Sequence, residues 1–200
     1  MAYQHSVQIG PEFFQKSKND YNDWRWAIIR EFVQNGIDAP NSSAISIKIE
    51  RDGENTRLTV SNNGAPMDED TLVNKLLALG ASGKDGINTT GGFGKAKEIL
   101  YFAHLEYEIV TGNLRVKGSG AGYDLEHMNM TWNGTVSEVL IEGDHVEELN
   151  RIAYSYIFMT QWSGVFDLNG EMQQGKFRRV VGAASSRGRR STRIGPIRIV

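Results

Sequence analysis

Three polar residues, Glu31, Asn35 and Asp38, follow one another at spacings of four and three. On a helix they would share one face, because one turn takes 3.6 residues. A triphosphate needs a divalent cation such as Mg²⁺ to neutralise its charge, and Mg²⁺ prefers oxygen ligands and keeps several waters. Asn35 could supply one of those oxygens, while the phosphates supply others. Glu31 could then orient and deprotonate a water beside a terminal phosphate. Asp38 could hold a basic neighbour or support the wall under a sugar and base.

A polar turn follows the second predicted strand, with the sequence Ser-Asn-Asn-Gly-Ala-Pro-Met at residues 61–67. Asn62 lies at the strand end, where its side chain could recognise the edge of a base. Gly64 follows it and would let the backbone come close to that base. Met67 offers a polarizable surface to an aromatic ring. The alternative is a plain Asn-Gly turn without a ligand.

A second glycine segment, Thr-Gly-Gly-Phe-Gly-Lys-Ala at residues 90–96, opens a predicted helix. Glycines let the backbone approach phosphates, and a helix N-terminus presents free N–H groups and partial positive charge. Lys95 and Lys84 add positive charge nearby, although each is also compatible with a solvated surface lysine. The spacing matches neither the Walker A loop nor the Rossmann fingerprint.

The elements that position these side chains can be predicted from periodicity. A helix over residues 23–39 begins at the capping residue Asp23 and ends before Pro40. Alternating isoleucines predict a strand at residues 45–49, and a paired strand follows through residues 58–60. Further strands are predicted at residues 105–110 and 115–116 around a turn at 111–113, at 136–141 and at 165–168. Further helices are predicted from Asp68, over 94–102 and over 145–160.

These elements predict an α+β fold in which helices pack on one face of a single sheet. Residues 80–92 contain five glycines among small polar residues, which predicts a mobile surface loop. The Gly-, Ser- and Arg-rich residues 182–195 have the composition of a disordered stretch.

Composition excludes several classes of protein. The chain has no cysteine, which rules out disulfides and thiolate metal sites. No apolar run approaches the roughly 20 residues that span a bilayer, and the first 21 residues lack the pattern of a secretory signal. We therefore expect a soluble, cytoplasmic protein that does not enter membranes.

The charge is unevenly distributed along the chain. Eight of the 22 basic residues follow Glu171 and none of the 24 acidic residues does, so residues 1–171 carry a net charge of −10. A basic extension over residues 176–200 could bind nucleic acid or an acidic partner. It could equally be solvated or fold back on the acidic body. The eight residues are Lys176, Arg178, Arg179, Arg187, Arg189, Arg190, Arg193 and Arg198.

Four segments together resemble the GHKL superfamily of Bergerat-fold ATPases. The sequence Glu-Phe-Val-Gln-Asn-Gly-Ile-Asp-Ala at residues 31–39 is similar to the N box, and residues 62–67 and 91–96 are similar to the first and second glycine boxes. Gly134 and Thr135 match a late Gly-Thr element. The resemblance is to the branch of gyrase B, MutL, MORC and the ninety-kilodalton heat-shock chaperones.

The resemblance implies a two-layer α/β sandwich with a mixed, mostly antiparallel sheet over residues 1–175, and an ATP lid over residues 80–92. Glu31 would be the general base, Asn35 the magnesium ligand, Asn62 the reader of the adenine amino group and Thr135 its helper through water. The residues expected to bind nucleotide are Asn35, Asp38, Asn62, Gly64, Met67, Lys84, Gly91, Gly92, Phe93, Gly94, Lys95, Ala96 and Thr135.

The implied activity is slow, Mg²⁺-dependent ATP hydrolysis, with lid closure that could pair two protomers. One alternative is a nucleotide-binding switch without significant turnover, recruited to a partner or nucleic acid. Another is the catalytic domain of a sensor histidine kinase. The chain would be either the first part of a longer protein or a minimal version, because this branch usually has a following domain.

Two residues depart from the family pattern. Asn62 stands where aspartate is usual, so we expect a weaker bond to an adenine N–H and looser discrimination against guanine. Pro66 replaces the second glycine of the first box, which stiffens the loop and removes one N–H.

Overall fold

The computed structural model describes residues 9–79 and 98–173. The elements are, in chain order, α1 (Pro11–Asn19), α2 (Trp24–Asp38), β1 (Ala44–Asp52), β2 (Asn55–Asn62), π1 (Thr71–Leu76), π2 (Glu98–Phe102), β3 (Glu106–Ser119), β4 (Gly122–Ile141), α3 (Val146–Met159), β5 (Val165–Leu168) and β6 (Glu171–Gln173). The segments π1 and π2 are short helices with π-type hydrogen bonds. The predicted loop over 80–92, the second glycine segment over 91–96 and the basic extension over 176–200 lie outside the described residues.

The strands form one six-stranded sheet in the order β3-β4-β2-β1-β5-β6. Four neighbouring pairs are antiparallel, and the pair of β1 with β5 is parallel. The parallel pair requires a crossover, and α3 lies within the connection that makes it. The predicted α+β fold, with a mixed and mostly antiparallel sheet, is confirmed.

The core lies between the sheet and the helices. Along β1 the isoleucines at 45, 47 and 49 are buried, whereas Lys48 between them is exposed, as expected for a strand with one covered face. Helix α2 covers that face with Ile28, Phe32 and other apolar residues, and α3 packs beside it. Among the described residues, no helix is both long and apolar enough to cross a membrane.

Strand β3 contains the turn that the sequence predicts at residues 111–113. Nε of Arg115 donates to Oε1 of Glu108 at 2.7 Å, although seven extended residues would span about 23 Å. The two halves of β3 therefore lie side by side in opposite directions. Gly112 has the positive φ of 55° that suits the reversal, and the register with β4 shifts at the same point.

Helix α1 has no counterpart among the predicted elements. It begins with Pro11, whose missing N–H costs nothing at the first helical position. The ring of Phe14 is buried against Phe102 of π2, with centroids 5.3 Å apart. Ser17 donates to the buried carboxylate of Glu98, and Nε2 of Gln15 donates to the carbonyl of Ala103 at 2.9 Å. The helix is therefore held by long-range contacts rather than by a local pattern.

Two predicted helices are present in the described residues as short segments with π-type hydrogen bonds. The helix predicted from Asp68 is present as π1, and Oδ1 of Asp68 accepts the N–H of Thr71 at 2.8 Å. Of the helix predicted over residues 94–102, the described part is π2. The helices predicted over 23–39 and 145–160 are confirmed as α2 and α3.

Candidate functional site

Helix α2 presents the first group of candidate residues. Oδ1 of Asp23 accepts the N–H groups of Arg25 and Trp26 at 3.0 and 3.3 Å, which caps the helix as predicted. The apolar residues of α2 face the core, so its polar stripe is left on the accessible side. Glu31, Asn35 and Asp38 lie on that stripe, and their predicted common face is confirmed.

The carboxylate of Glu31 is held at one oxygen. Nε and Nη2 of Arg30 donate to Oε1 of Glu31 at 3.0 and 2.6 Å. Oε2 has no hydrogen bond among the described residues. The side chain of Glu31 is 22% exposed, so water can reach it. Burial, with the carboxylates of Glu31 and Glu98 adding to it, raises the pKa of the nearby phenol of Tyr21.

Asn35 and Asp38 differ in how they are held. Nε2 of Gln34 donates to Oδ1 of Asp38 at 2.8 Å. The amide of Asn35 is exposed, and within residues 9–79 and 98–173 it makes no side-chain hydrogen bond. An accessible, unclaimed amide oxygen fits a cation that takes most of its ligands from phosphates and water.

A protein-only metal site is not found in the described ranges. Residues 9–79 and 98–173 hold no group of three or more histidine, cysteine, aspartate or glutamate side chains that could bind a metal ion.

Two glycines bring the end of β2 against α2. A Cβ on the buried Gly36 would lie 2.8 Å from Cδ1 of Ile45 and 3.6 Å from Cβ of Asn62. A Cβ on Gly64 would lie 2.7 Å from Cβ of Ala39. A side chain at either position would push the helix away from the strands, so these glycines permit the approach of Asn62 to the helix.

Asn62 lies at the junction of β2 and β4. It is the register partner of Thr135, and its Oδ1 accepts the N–H of Gly64 at 2.9 Å. Gly134 has φ 103°, and a Cβ there would lie 1.9 Å from the backbone oxygen of Asn62. Only glycine allows the two backbones to come this close.

Thr111 connects residues at the junction of β2 and β4 by hydrogen bonds. It is not among the candidate residues predicted from the sequence. Its buried Oγ1 accepts the N–H of Met67 at 2.8 Å and lies 2.9 Å from Oγ1 of Thr135. It also donates to the carbonyl of Gly134 at 3.2 Å. The sequence places Thr111 only in a turn, and no local signal shows that it contacts residues 24 and 44 positions away.

The structure therefore brings Asn62, Gly64, Met67 and Thr135 together. Helix α2, which carries Glu31, Asn35 and Asp38, lies beside them because Gly36 has no side chain to hold it away. The roles expected for these residues stay predictions. Lys84 and the phosphate-binding candidates lie outside the described residues, and their roles also stay predictions. These candidates are Gly91, Gly92, Phe93, Gly94, Lys95 and Ala96.

Comparison with known proteins gives a family. Residues 26–145 match the HATPase_c family model, described as histidine kinase-, DNA gyrase B- and HSP90-like ATPase. None of the curated proteins compared with the chain is similar enough in sequence to count as a match. The matched range contains most of α2, both glycine segments and the Gly134-Thr135 pair. The chain therefore belongs to the histidine kinase-, DNA gyrase B- and HSP90-like ATPase family and carries a GHKL-type ATP-binding domain.

Proposed function

We propose that this domain binds ATP with Mg²⁺ and hydrolyses the nucleotide slowly, with Glu31 as the general base. The observation that carries the proposal is the carboxylate of Glu31, whose Oε1 is fixed by Arg30 while Oε2 is unclaimed by the described residues. Fixing one oxygen orients the group, and the other oxygen can accept a proton from water.

Asn35 is the proposed protein ligand of Mg²⁺. Its exposed amide lies one helical turn after Glu31 on the same face of α2. The metal would neutralise phosphate charge when bound. Because the amide is neutral, the triphosphate itself must supply much of the affinity for the ion.

The base and sugar are proposed to lie beside the junction of β2 and β4. Asn62 and Thr135 would read the base edge, and Met67 would pack against the ring. Gly64 would keep the backbone close behind Asn62, and Asp38 would support the wall below the sugar.

The phosphates are proposed to contact the second glycine segment, residues 91–96, with Lys84 adding positive charge from the lid over residues 80–92. Support comes from the element that follows. Glu98, the first residue of π2, accepts a hydrogen bond from Ser17, so the described element on the C-terminal side of that segment is anchored to α1. Lid closure could pair two protomers, and the basic extension over 176–200 could recruit nucleic acid or an acidic partner.

The test replaces Glu31 by glutamine, which keeps the shape and removes the base. We expect E31Q to bind ATP with a Kd close to that of the unmodified protein and to release phosphate at least about tenfold more slowly. The matched control is E147Q, which changes an exposed glutamate at the start of α3. Equal phosphate release by E31Q and E147Q would refute the role of Glu31.

One observation favours a second candidate, a nucleotide-binding switch without significant turnover. Nη2 of Arg30 lies 2.6 Å from Oε1 of Glu31, so one of the two carboxylate oxygens is occupied and cannot contact a water. Steady-state phosphate release distinguishes the candidates, because the switch binds ATP and releases no phosphate above the E31Q background.

A further inference from the structure

The structure fixes the orientation of the amide of Asn62. The N–H of Gly64 lies 2.9 Å from Oδ1, and a backbone N–H can only donate. The carbonyl oxygen of the side chain must therefore face Gly64, and the NH₂ group points elsewhere. Among the described residues this NH₂ has no hydrogen-bond partner.

Rotation of this amide is unfavourable. It would set the NH₂ group against the N–H of Gly64, so two donors would face each other. Gly64 is buried, and water cannot easily replace the lost acceptor. Asn62 therefore offers a hydrogen-bond donor to a bound base, whereas an aspartate at this position would offer only acceptors.

The hydroxyl of Thr135, the register partner of Asn62, offers a hydrogen-bond acceptor where Asn62 offers a donor. Thr111 has one hydroxyl hydrogen, which it donates to the carbonyl of Gly134. Either hydroxyl could donate in the 2.9 Å contact between Thr111 and Thr135, and with the Thr111 hydrogen directed to Gly134 the donor is Thr135. The oxygen of Thr135 is left as an acceptor, so the pair presents a donor and an acceptor side by side.

A 6-oxopurine has the matching edge. Guanine and hypoxanthine carry an acceptor at O6 and a donor at N1–H, whereas adenine carries a donor at N6. Asn62 can donate to O6 while Thr135 accepts from N1–H. With adenine, the NH₂ group of Asn62 meets another NH₂ group.

We propose that the base pocket takes a 6-oxopurine nucleoside triphosphate at least as tightly as ATP. This inference rests on the proposed function, because it requires Asn62 to face the 6-position of the base. It goes beyond that function by naming the residue that sets base preference in this chain.

The experiment measures Kd by calorimetry for ATP, ITP and GTP with Mg²⁺ on the full 200-residue chain. ITP differs from ATP only in the base edge at positions 1 and 6, and GTP adds a 2-amino group. We expect ITP to bind at least as tightly as ATP. We expect N62D to shift the preference toward ATP by at least about tenfold, since the carboxylate accepts from N6–H and repels O6.

The matched control is N63D, which adds the same charge one residue later. Oδ1 of Asn63 accepts the N–H groups of Ser43 and Ala44, both at 2.9 Å, and a carboxylate keeps these bonds. A preference unchanged in N63D supports the inference. An equal shift in N62D and N63D overturns it, because the effect would then be one of charge alone.

Wild-type binding of ATP that is tighter than binding of ITP, beyond the error of the Kd measurement, overturns the inference and leaves the proposed function intact. Failure of all three purine nucleotides to bind overturns both. If N62D does not fold by circular dichroism, the wild-type ratio of ATP to ITP still decides the question.

Discussion

Replacement of Gly134 by alanine tests whether close backbone contact holds β4 against the end of β2. The new Cβ would lie 1.9 Å from the backbone oxygen of Asn62, 2.9 Å from its carbonyl carbon and 3.0 Å from Cα of Asn63. All three atoms belong to the backbone, so no flexible side chain can move aside. The φ of 103° adds strain that a non-glycine residue does not tolerate well.

The expected loss of stability can be worked from these two terms. A residue in a sparsely populated backbone region costs about 1–3 kcal/mol, and overpacking of a tight site costs about 1–3 kcal/mol more. G134A should therefore lower the free energy of unfolding by about 2–6 kcal/mol, a large part of the roughly 5–15 kcal/mol typical of a domain.

The assay is urea unfolding followed by circular dichroism, with the midpoint compared at constant m-value. The matched control is G120A, because Gly120 has φ 56° and a methyl group added there would meet no atom within 4 Å. G120A should show backbone strain alone, about 1–2 kcal/mol. Equal losses in G134A and G120A would show that the contact with Asn62 contributes nothing.

Two further predictions concern buried polar groups. Burial, with Lys18 nearby, lowers the pKa of His104 from 6.5 to about 3. Between these two pH values the unfolded chain binds a proton at His104 and the folded chain does not. We therefore expect the free energy of unfolding to fall by up to about 1.4 kcal/mol per pH unit below pH 6.5. Urea unfolding at pH 7, 6 and 5 checks this, and H104F, which lacks the titrating group, should gain stability relative to wild type as the pH falls; a difference that does not change with pH would contradict the prediction. Thr111→Val leaves the N–H of Met67 without its acceptor and should cost about 1–3 kcal/mol, whereas Thr111→Ser keeps the hydroxyl and should cost clearly less in the same assay; similar losses would contradict the role of the hydroxyl.

Much of the fold could be predicted because its signals are local. Asp23 and Pro40 mark the ends of α2, and alternation in β1 shows which side is covered. Helix α1 has weaker local signals, since Pro11 occupies its first position but Gly10 provides no side-chain cap. Its stability comes from Phe14 and from the bond between Ser17 and Glu98, 81 residues away.

The strand boundaries show the same limit. The sequence pattern predicts a strand only over residues 136–141, but β4 begins at Gly122. Its first half is mostly exposed and therefore lacks the alternation that marks a half-buried strand.

The candidate site could be predicted only in part, for a similar reason. Helical spacing alone shows that Glu31, Asn35 and Asp38 share a face. Spacing cannot show that Arg30 turns onto Glu31, because neighbouring residues on a helix do not normally face each other. Spacing also cannot show that Thr111 contacts Thr135, because this contact depends on the register of β3 with β4.

The parallel pairing of β1 with β5 has a consequence for any shortened form of the chain. Residues 26–145 match the family, but the strand that covers the outer edge of β1 begins at Val165. A fragment cut at the limits of the match would present a row of unpaired backbone N–H and C=O groups along β1. Such an edge is a template for cross-strand association between copies, so we expect β5 to protect β1 from pairing with other molecules.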